Sequence, residues 1–207
     1  MNKSPLYSIL FIALLAVFFG GAVSGVEQYT REKVEQGRVA AQRSRVLEAL
    51  GIKAPESPQA LAELWGARVS EKSGPSGEYY SASDVEGALK GYAFPFTAPG
   101  FWGPVRGVVA VAPDGNTLLG LSIISHQETP GLGGRISEKW FTEQFRGKRI
   151  DSSKSAPLSF VYREPVAANE VEAVTGATQT SSRFAGFINP FLADLSKRGV
   201  FAGGDAK

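Results

Sequence analysis

The sequence predicts an α+β protein: a single N-terminal transmembrane helix, followed by a mixed or antiparallel sheet packed with helices. Three observations predict it. Residues 6–26 form an uncharged, apolar run of 21 residues. Two apolar segments, 105–112 and 117–125, flank Pro113-Asp114-Gly115-Asn116, and Asp-Gly between apolar runs is a strong hairpin signal. Segments with helical spacing lie before and after that hairpin.

Taken in order, residues 6–26 would span about 32 Å as a helix at ~1.5 Å per residue, matching the ~30 Å hydrocarbon core of a bilayer. Ala22-Val23-Ser24 is cleavage-site-like, so a signal peptide is the alternative; the length of the run favours a retained anchor, residues 1–26. Lys3 is the sole basic side chain before the span, whereas Arg31, Lys33, Arg38, Arg43 and Arg45 follow it. Charge alone therefore places the C-terminal part in the cytoplasm. Residues 27–66 read as a helical linker region. Its first part has no proline up to Leu50, and Gly51 is the expected stop. Ser57 is the expected cap of a short second helix that opens at Pro58.

Residues 67–199 read as the folded domain, and 200–207 as a tail. Residues 74–77 form a loop. The two hairpin strands are apolar at nearly every position, which predicts burial on both faces. Residues 137–147 read as an amphipathic helix capped by Ser137, with Trp140, Phe141 and Phe145 on one face. A further strand is expected over 158–163, and a last helix over 181–198, closed by Gly199. Trp102 and Trp140 read as core residues.

Composition narrows the chemistry. The chain has no cysteine and one histidine, His126. That excludes iron–sulfur clusters, thiolate zinc, disulfides and multi-histidine metal sites; no metal site is expected. A net charge of +2 does not argue for nucleic acid. Any redox or catalytic chemistry must come from hydroxyls, carboxylates, lysine or arginine, or from a borrowed organic cofactor.

The segment Val174-Thr175-Gly176-Ala177-Thr178-Gln179-Thr180-Ser181-Ser182-Arg183-Phe184 crowds hydroxyls around one glycine at the mouth of the last helix. Thr180 or Ser181 is the expected cap. Free N–H groups, a positive dipole end and short hydroxyls suit a phosphate, and Arg183 adds a cation. An ordinary Ser/Thr-rich cap accounts for the same spacing.

Here the sequence resembles a family. Glu172-Ala173-Val174-Thr175-Gly176-Ala177-Thr178 looks like the Asp-x-x-(Ser/Thr)-Gly-Ala-Thr motif of covalently flavinylated FMN-binding domains, with Glu172 where the family usually has Asp. Glu128-Thr129-Pro130-Gly131-Leu132-Gly133 is similar to the second motif of that family. Gly100 to Gly107, which opens with Gly100-Phe101-Trp102-Gly103, and Phe145 to Ile150, which opens with Phe145-Arg146-Gly147-Lys148, fall where it has similar segments. Its members include the G subunit of the Rnf complex and the C subunit of the Nqr complex. The resemblance implies that Thr178 is bonded through its oxygen to the phosphate of FMN, and that Thr175, Gly176 and Ala177 shape the turn around that phosphate. It implies that Glu128, Thr129, Gly131, Leu132 and Gly133 line the ring side of the flavin, with Leu132 packed on it. Thr180, Ser181 and Lys148 are further candidates for cofactor binding. His126 either lies near the flavin edge or serves the surface.

No Ser-His-Asp arrangement surrounds Thr178, so self-attachment is not expected. The resemblance implies a separate, magnesium-dependent flavin transferase that uses FAD as donor. It also implies partners in a membrane redox complex, a lipid bilayer, and an extracytoplasmic C-terminal domain on the inner (cytoplasmic) membrane, against the charge reading. The short length, residues 126–128 and residues 140–148 lean towards the Rnf type, whereas Leu132-Gly133-Gly134 fits the Nqr type at least as well. The functional expectation is an electron-transfer subunit of an ion-translocating oxidoreductase, not catalytic alone. The alternative is a membrane-anchored assembly or ligand-binding module of the same fold without a redox cofactor.

Overall fold

In a computed structural model of the chain, residues 5–74, 77–151, 153–195 and 201 are described. The chain divides into two compact units, Met1–Ala40 and Ala41–Lys207. Helix α1 covers Pro5–Ala49, and its N-terminal portion is long and apolar enough to cross a membrane, with a mean hydropathy of 2.5 and none of that window buried. The division falls inside the expected linker 27–66, because the helix acquires a buried face only near its end: Val46, Leu47 and Ala49 are fully buried.

Gly51 stops α1 as expected. Its φ is +69°, the left-handed value that glycine adopts without strain. The Ile52 N–H donates to the Leu47 carbonyl and the Gly51 N–H to the Glu48 carbonyl, the paired bonds of a Schellman cap. Helix α2 (Pro58–Arg68) starts with Pro58 in the first turn. Ser57 occupies the cap position but makes no capping bond; its hydroxyl donates to Gln59 Oε1 instead.

Five strands then follow as an antiparallel meander in the order β1-β2-β3-β4-β5: β1 (Val69–Gly74), β2 (Gly77–Ser83), β3 (Leu89–Pro99), β4 (Pro104–Val111) and β5 (Leu118–Ser125). The hairpin of β4 and β5 is the expected one. Asp114 Oδ1 accepts from the Asn116 and Thr117 N–H groups, Thr117 Oγ1 donates to Asp114 Oδ2, and Gly115 has a φ of +70°. Residues 74–77 link β1 to β2, with Gly74 paired to Gly77.

The buried strands of that hairpin have a different cover on each face. Val109, Val111, Leu121 and Ile123 enter the main core. Ser122 lies on the other face, where its hydroxyl donates to Glu48 Oε2 at 2.9 Å. On that face a Cβ at Gly120 would come 2.6 Å from the Ala49 carbonyl, so the end of α1 rests directly on β5. Arg146 ties the two together through the Leu119 and Glu48 carbonyls.

The expected helix over 137–147 is not continuous. A 3₁₀ turn, Gly133–Ser137, precedes α3 (Lys139–Thr142), and a second 3₁₀ turn, Glu143–Phe145, follows. Ser137 does not cap; its hydroxyl donates back to the Gly134 carbonyl. Phe141 and Phe145 are buried as expected, and Trp140 packs against the core half-exposed. Strand β6 (Ser159–Val161) is shorter than expected and pairs parallel with β7 (Glu170–Glu172).

Helix α4 is Thr178–Leu195, starting three residues before the expected Ser181. Its expected end, 196–199, lies outside the described residues, as does the tail apart from Phe201. Phe184 anchors it: this 1% exposed ring meets Phe96 of β3, Phe141, Phe145 and Phe160. One turn later, buried Asn189 accepts from the Leu158 N–H at 2.8 Å and donates to the Leu158 carbonyl at 3.0 Å.

Asn189→Leu strands both backbone groups of buried Leu158. It should lower unfolding stability by about 2–4 kcal/mol, read by chemical denaturation. A second prediction concerns Glu170. The Arg163 guanidinium, then the Val166 and Ala167 amides, hold its carboxyl down from the ordinary 4.5 to about 2. A depressed native pKa means that this loop clamp is intact above the ordinary value and is lost as pH falls towards the native one. Carbon-detected NMR titration of Glu170 should therefore give a midpoint near 2.

Candidate functional site

Three chain segments converge where the motifs lie. The first is the turn after β3, closed by the Gly100 N–H donating to the Gly103 carbonyl at 2.9 Å. The second is the loop after β5. There the Thr129 carbonyl accepts from the Leu132 and Gly134 N–H groups, and Gly131 has a φ of +74°. The third is the turn into α4. The Ala177 N–H donates to the Val174 carbonyl at 3.1 Å, and Gly176 has a φ of +80°. Positive φ at the third residue of a four-residue turn is a glycine requirement.

Glu128 joins the three. It is 4% exposed. Its Oε1 accepts from the Phe101 N–H at 2.8 Å and the Trp102 N–H at 2.9 Å. Its Oε2 accepts from the Thr180 hydroxyl at 2.5 Å. Glycines make room for it: a Cβ at Gly100 would sit 2.5 Å from Oε1, and one at Gly133 would sit 2.7 Å from Oε2 and 2.5 Å from Thr180 Oγ1. The motif glycines Gly100 and Gly133 thus have a packing reason.

The structure sorts the candidate residues into two groups. Thr175, Gly176, Thr178, Thr129, Gly131 and Leu132 are exposed. Leu132 meets the third segment, its Cδ2 lying 3.6 Å from a Cβ position at Gly176. Buried inside are Ala177, Thr180, Ser181, Glu128 and Gly133. Neither Thr180 nor Ser181 is the cap expected from sequence, because the helix begins at Thr178. The Ser181 hydroxyl accepts from the Val174 N–H at 3.1 Å and so braces the preceding turn.

Lys148 is held away from this group of contacts: its Nζ donates to the Ala168 carbonyl at 3.1 Å, and burial pushes its pKa down. His126 is half-buried, and its Nδ1 accepts from the Glu128 N–H at 3.2 Å. Arg183 lies over the Phe101 ring at 5.8 Å.

Trp102 corrects the sequence expectation: it is no core residue. It is 65% exposed and Phe101 45%, in an edge-to-face pair at 5.0 Å. The hydrogen bonds of their amides to Glu128 spread this turn outward, and only the flanking glycines of Gly100-Phe101-Trp102-Gly103 hint at it in the sequence. A separate cavity of about 620 Å³, lined by Ser44, Glu48, Lys53, Lys139 and Arg146 among others, includes no residue of the three converging segments.

Exposed hydroxyls and an open glycine at a helix N-terminus suit a phosphate. Exposed Leu132, Phe101 and Trp102 on the adjoining segments suit a planar apolar ring. The arrangement fits an amphipathic nucleotide with an anionic tail.

Comparison with known proteins agrees. Residues 100–192 match the family described as FMN-binding domain. That segment resembles FMN-binding domains. Its relatives include the C subunit of the Na(+)-translocating NADH-quinone reductase of Pasteurella multocida, 32% identical over 156 residues, which cover 73% of this chain and 58% of that one. Another is the G subunit of the proton-translocating ferredoxin:NAD(+) oxidoreductase complex of Clostridium ljungdahlii, 38% identical over 90 residues, covering 44% and 45% respectively. The matches thus span about half the length of these relatives. The crystal structure of the Na(+)-translocating NADH-quinone reductase C subunit from Parabacteroides distasonis superposes with a TM-score of 0.65 at 25% identity, over 84% of this chain and 98% of that one. That of Shewanella oneidensis NqrC gives 0.62 at 20% identity, over 78% and 98%, which supports the fold. All three converging segments fall in or at the edge of the segment that matches this family.

Gly133→Ala should push a methyl into Glu128 and Thr180. The expected cost is about 1–3 kcal/mol, seen as a lowered Tm in differential scanning calorimetry of the full chain.

Proposed function

We propose that this chain is an electron-transfer subunit of a membrane-bound, ion-translocating oxidoreductase complex, and that it carries FMN through a phosphoester to Thr178. The observation that carries the reading is the placement of Thr178. It is exposed in the first turn of α4, next to the positive-φ Gly176, within a segment matching FMN-binding domains. The start of α4 offers backbone N–H groups and the positive end of its dipole to the phosphate. Thr175 and Gly176 leave that approach open. Leu132, Phe101 and Trp102 give the ring an apolar wall, while Glu128 and Thr180 hold the wall and the helix together from beneath.

Flavin bonded through its phosphate keeps its ring free to accept one or two electrons, so the protein supplies position, polarity and access. The apolar part of α1 anchors the domain in the bilayer, and the domain lies on the extracytoplasmic side of the inner membrane. Attachment is carried out by a flavin transferase. The partners are the other subunits of the complex. The 38% identity to the G subunit over 90 residues supports the Rnf type.

Co-expression with a flavin transferase, followed by intact-mass measurement, tests this. Wild type should gain one FMN less water and stay fluorescent on a denaturing gel. Thr178→Ala should show neither while keeping its circular dichroism. A wild-type chain of unmodified mass defeats the proposal and leaves a cofactor-free, membrane-anchored module as the reading.

A further inference from the structure

Glu128 stands inside a sequence motif that suggests contact with the cofactor, yet its carboxylate is turned inward. Both oxygens are engaged by protein donors, and the side chain is 4% exposed. A carboxylate only accepts hydrogen bonds, and here it meets three donors from two segments besides its own. On the helix side, Thr180 follows Thr178 by two residues, which is about 200° around an α-helix. The two hydroxyls of one helical turn therefore point to opposite sides. That of Thr178 is exposed, and that of Thr180 is buried on Glu128. On the wall side, the same carboxylate fixes the amides of Phe101 and Trp102, the exposed aromatic pair. Gly100 and Gly133 admit it at distances no Cβ would tolerate.

We propose that Glu128 is a positioning residue that locks the first turn of α4 to the Phe101–Trp102 turn, so that a flavin bonded at Thr178 is held in one orientation against that wall. This rests on the FMN reading above. It differs from direct contact between Glu128 and the flavin in one consequence: cutting the lock at Thr180, with the carboxylate left in place, should disturb the flavin as much as changing Glu128 itself.

The experiment compares wild type, Glu128→Gln, Thr180→Val and Thr180→Ser as full chains co-expressed with flavin transferase. The FMN-specific visible circular dichroism, per bound flavin, should fall at least about twofold in both Glu128→Gln and Thr180→Val, because a loosened wall averages the ring's orientation. Thr180→Ser keeps the hydroxyl and should match wild type. A visible signal unchanged in Thr180→Val overturns the proposal, whatever Glu128→Gln does. The wild-type mass tests the FMN reading separately.

The lock itself is read without flavin, in Thr178→Ala. Adding Thr180→Val to that chain should raise amide exchange at Phe101 and Trp102 about tenfold or more, if the far ends of the carboxylate are coupled. Unchanged protection there overturns the lock independently of any cofactor. Should Glu128→Gln fail to fold, the nearly isosteric Thr180→Val and its serine counterpart still decide the question.

Discussion

A carboxylate removed from water must find its hydrogen-bond donors within the protein, and at Glu128 that demand organises the site. Its partners come from segments far apart in sequence: the turn after β3 and the first turn of α4. Each partner must be in place for the others to be satisfied. Space is as strict as polarity. Glycine at 100 and 133 is the condition for backbone to close around the side chain. The exposed Trp102 is bonded to this buried group through its own N–H, and the exposed Thr178 lies two residues before Thr180, whose hydroxyl is bonded to it.

The scaffold beneath supplies the rigidity that such an arrangement needs. The meander sheet holds β3 and β5 on either side of β4, so the loops that leave their ends are neighbours. Phe184 pins α4 to β3, to β6 and to the short helical turns after the hairpin. Asn189 fixes the next turn to the backbone before β6. The end of α1 seats on the opposite face of the sheet at Gly120, where a side chain would block the approach. The site is thus set by one helix start and two loops, each tied to the same sheet.

Much of this is legible in the residues. The Asp114-Gly115 hairpin, the Gly51 stop and the buried Phe141 and Phe145 follow from local rules that tertiary contacts do not override. Strand β3 carries no such signal because Pro95 and Pro99 interrupt it. Both lie beyond the stretch that pairs with β2, which ends at Ala93, so one edge of β3 is open there and proline is tolerated. The helix expected over 137–147 shrinks to Lys139–Thr142 because the chain tightens into i→i+3 bonds on either side, from the Glu138 N–H to the Arg135 carbonyl and from the Arg146 N–H to the Glu143 carbonyl. Trp102 reads as core because tryptophan usually is; its exposure goes with the Phe101 and Trp102 N–H bonds to Glu128, 27 and 26 positions away.

Sequence alone determined the chemical inventory: no thiols, one histidine, an apolar N-terminal run long enough for a bilayer, and hydroxyl and glycine motifs in an order that resembles FMN-binding domains. It could do so because residue types, spacings and turn chemistry are local properties. Only the tertiary structure decided which hydroxyl faces out and which faces in. Thr178 and Thr180 are the same residue two places apart, and nothing local distinguishes their tasks. The difference comes from helix phase together with a buried carboxylate brought from 52 residues away, and a long-range contact of that kind has no signature in the neighbouring sequence.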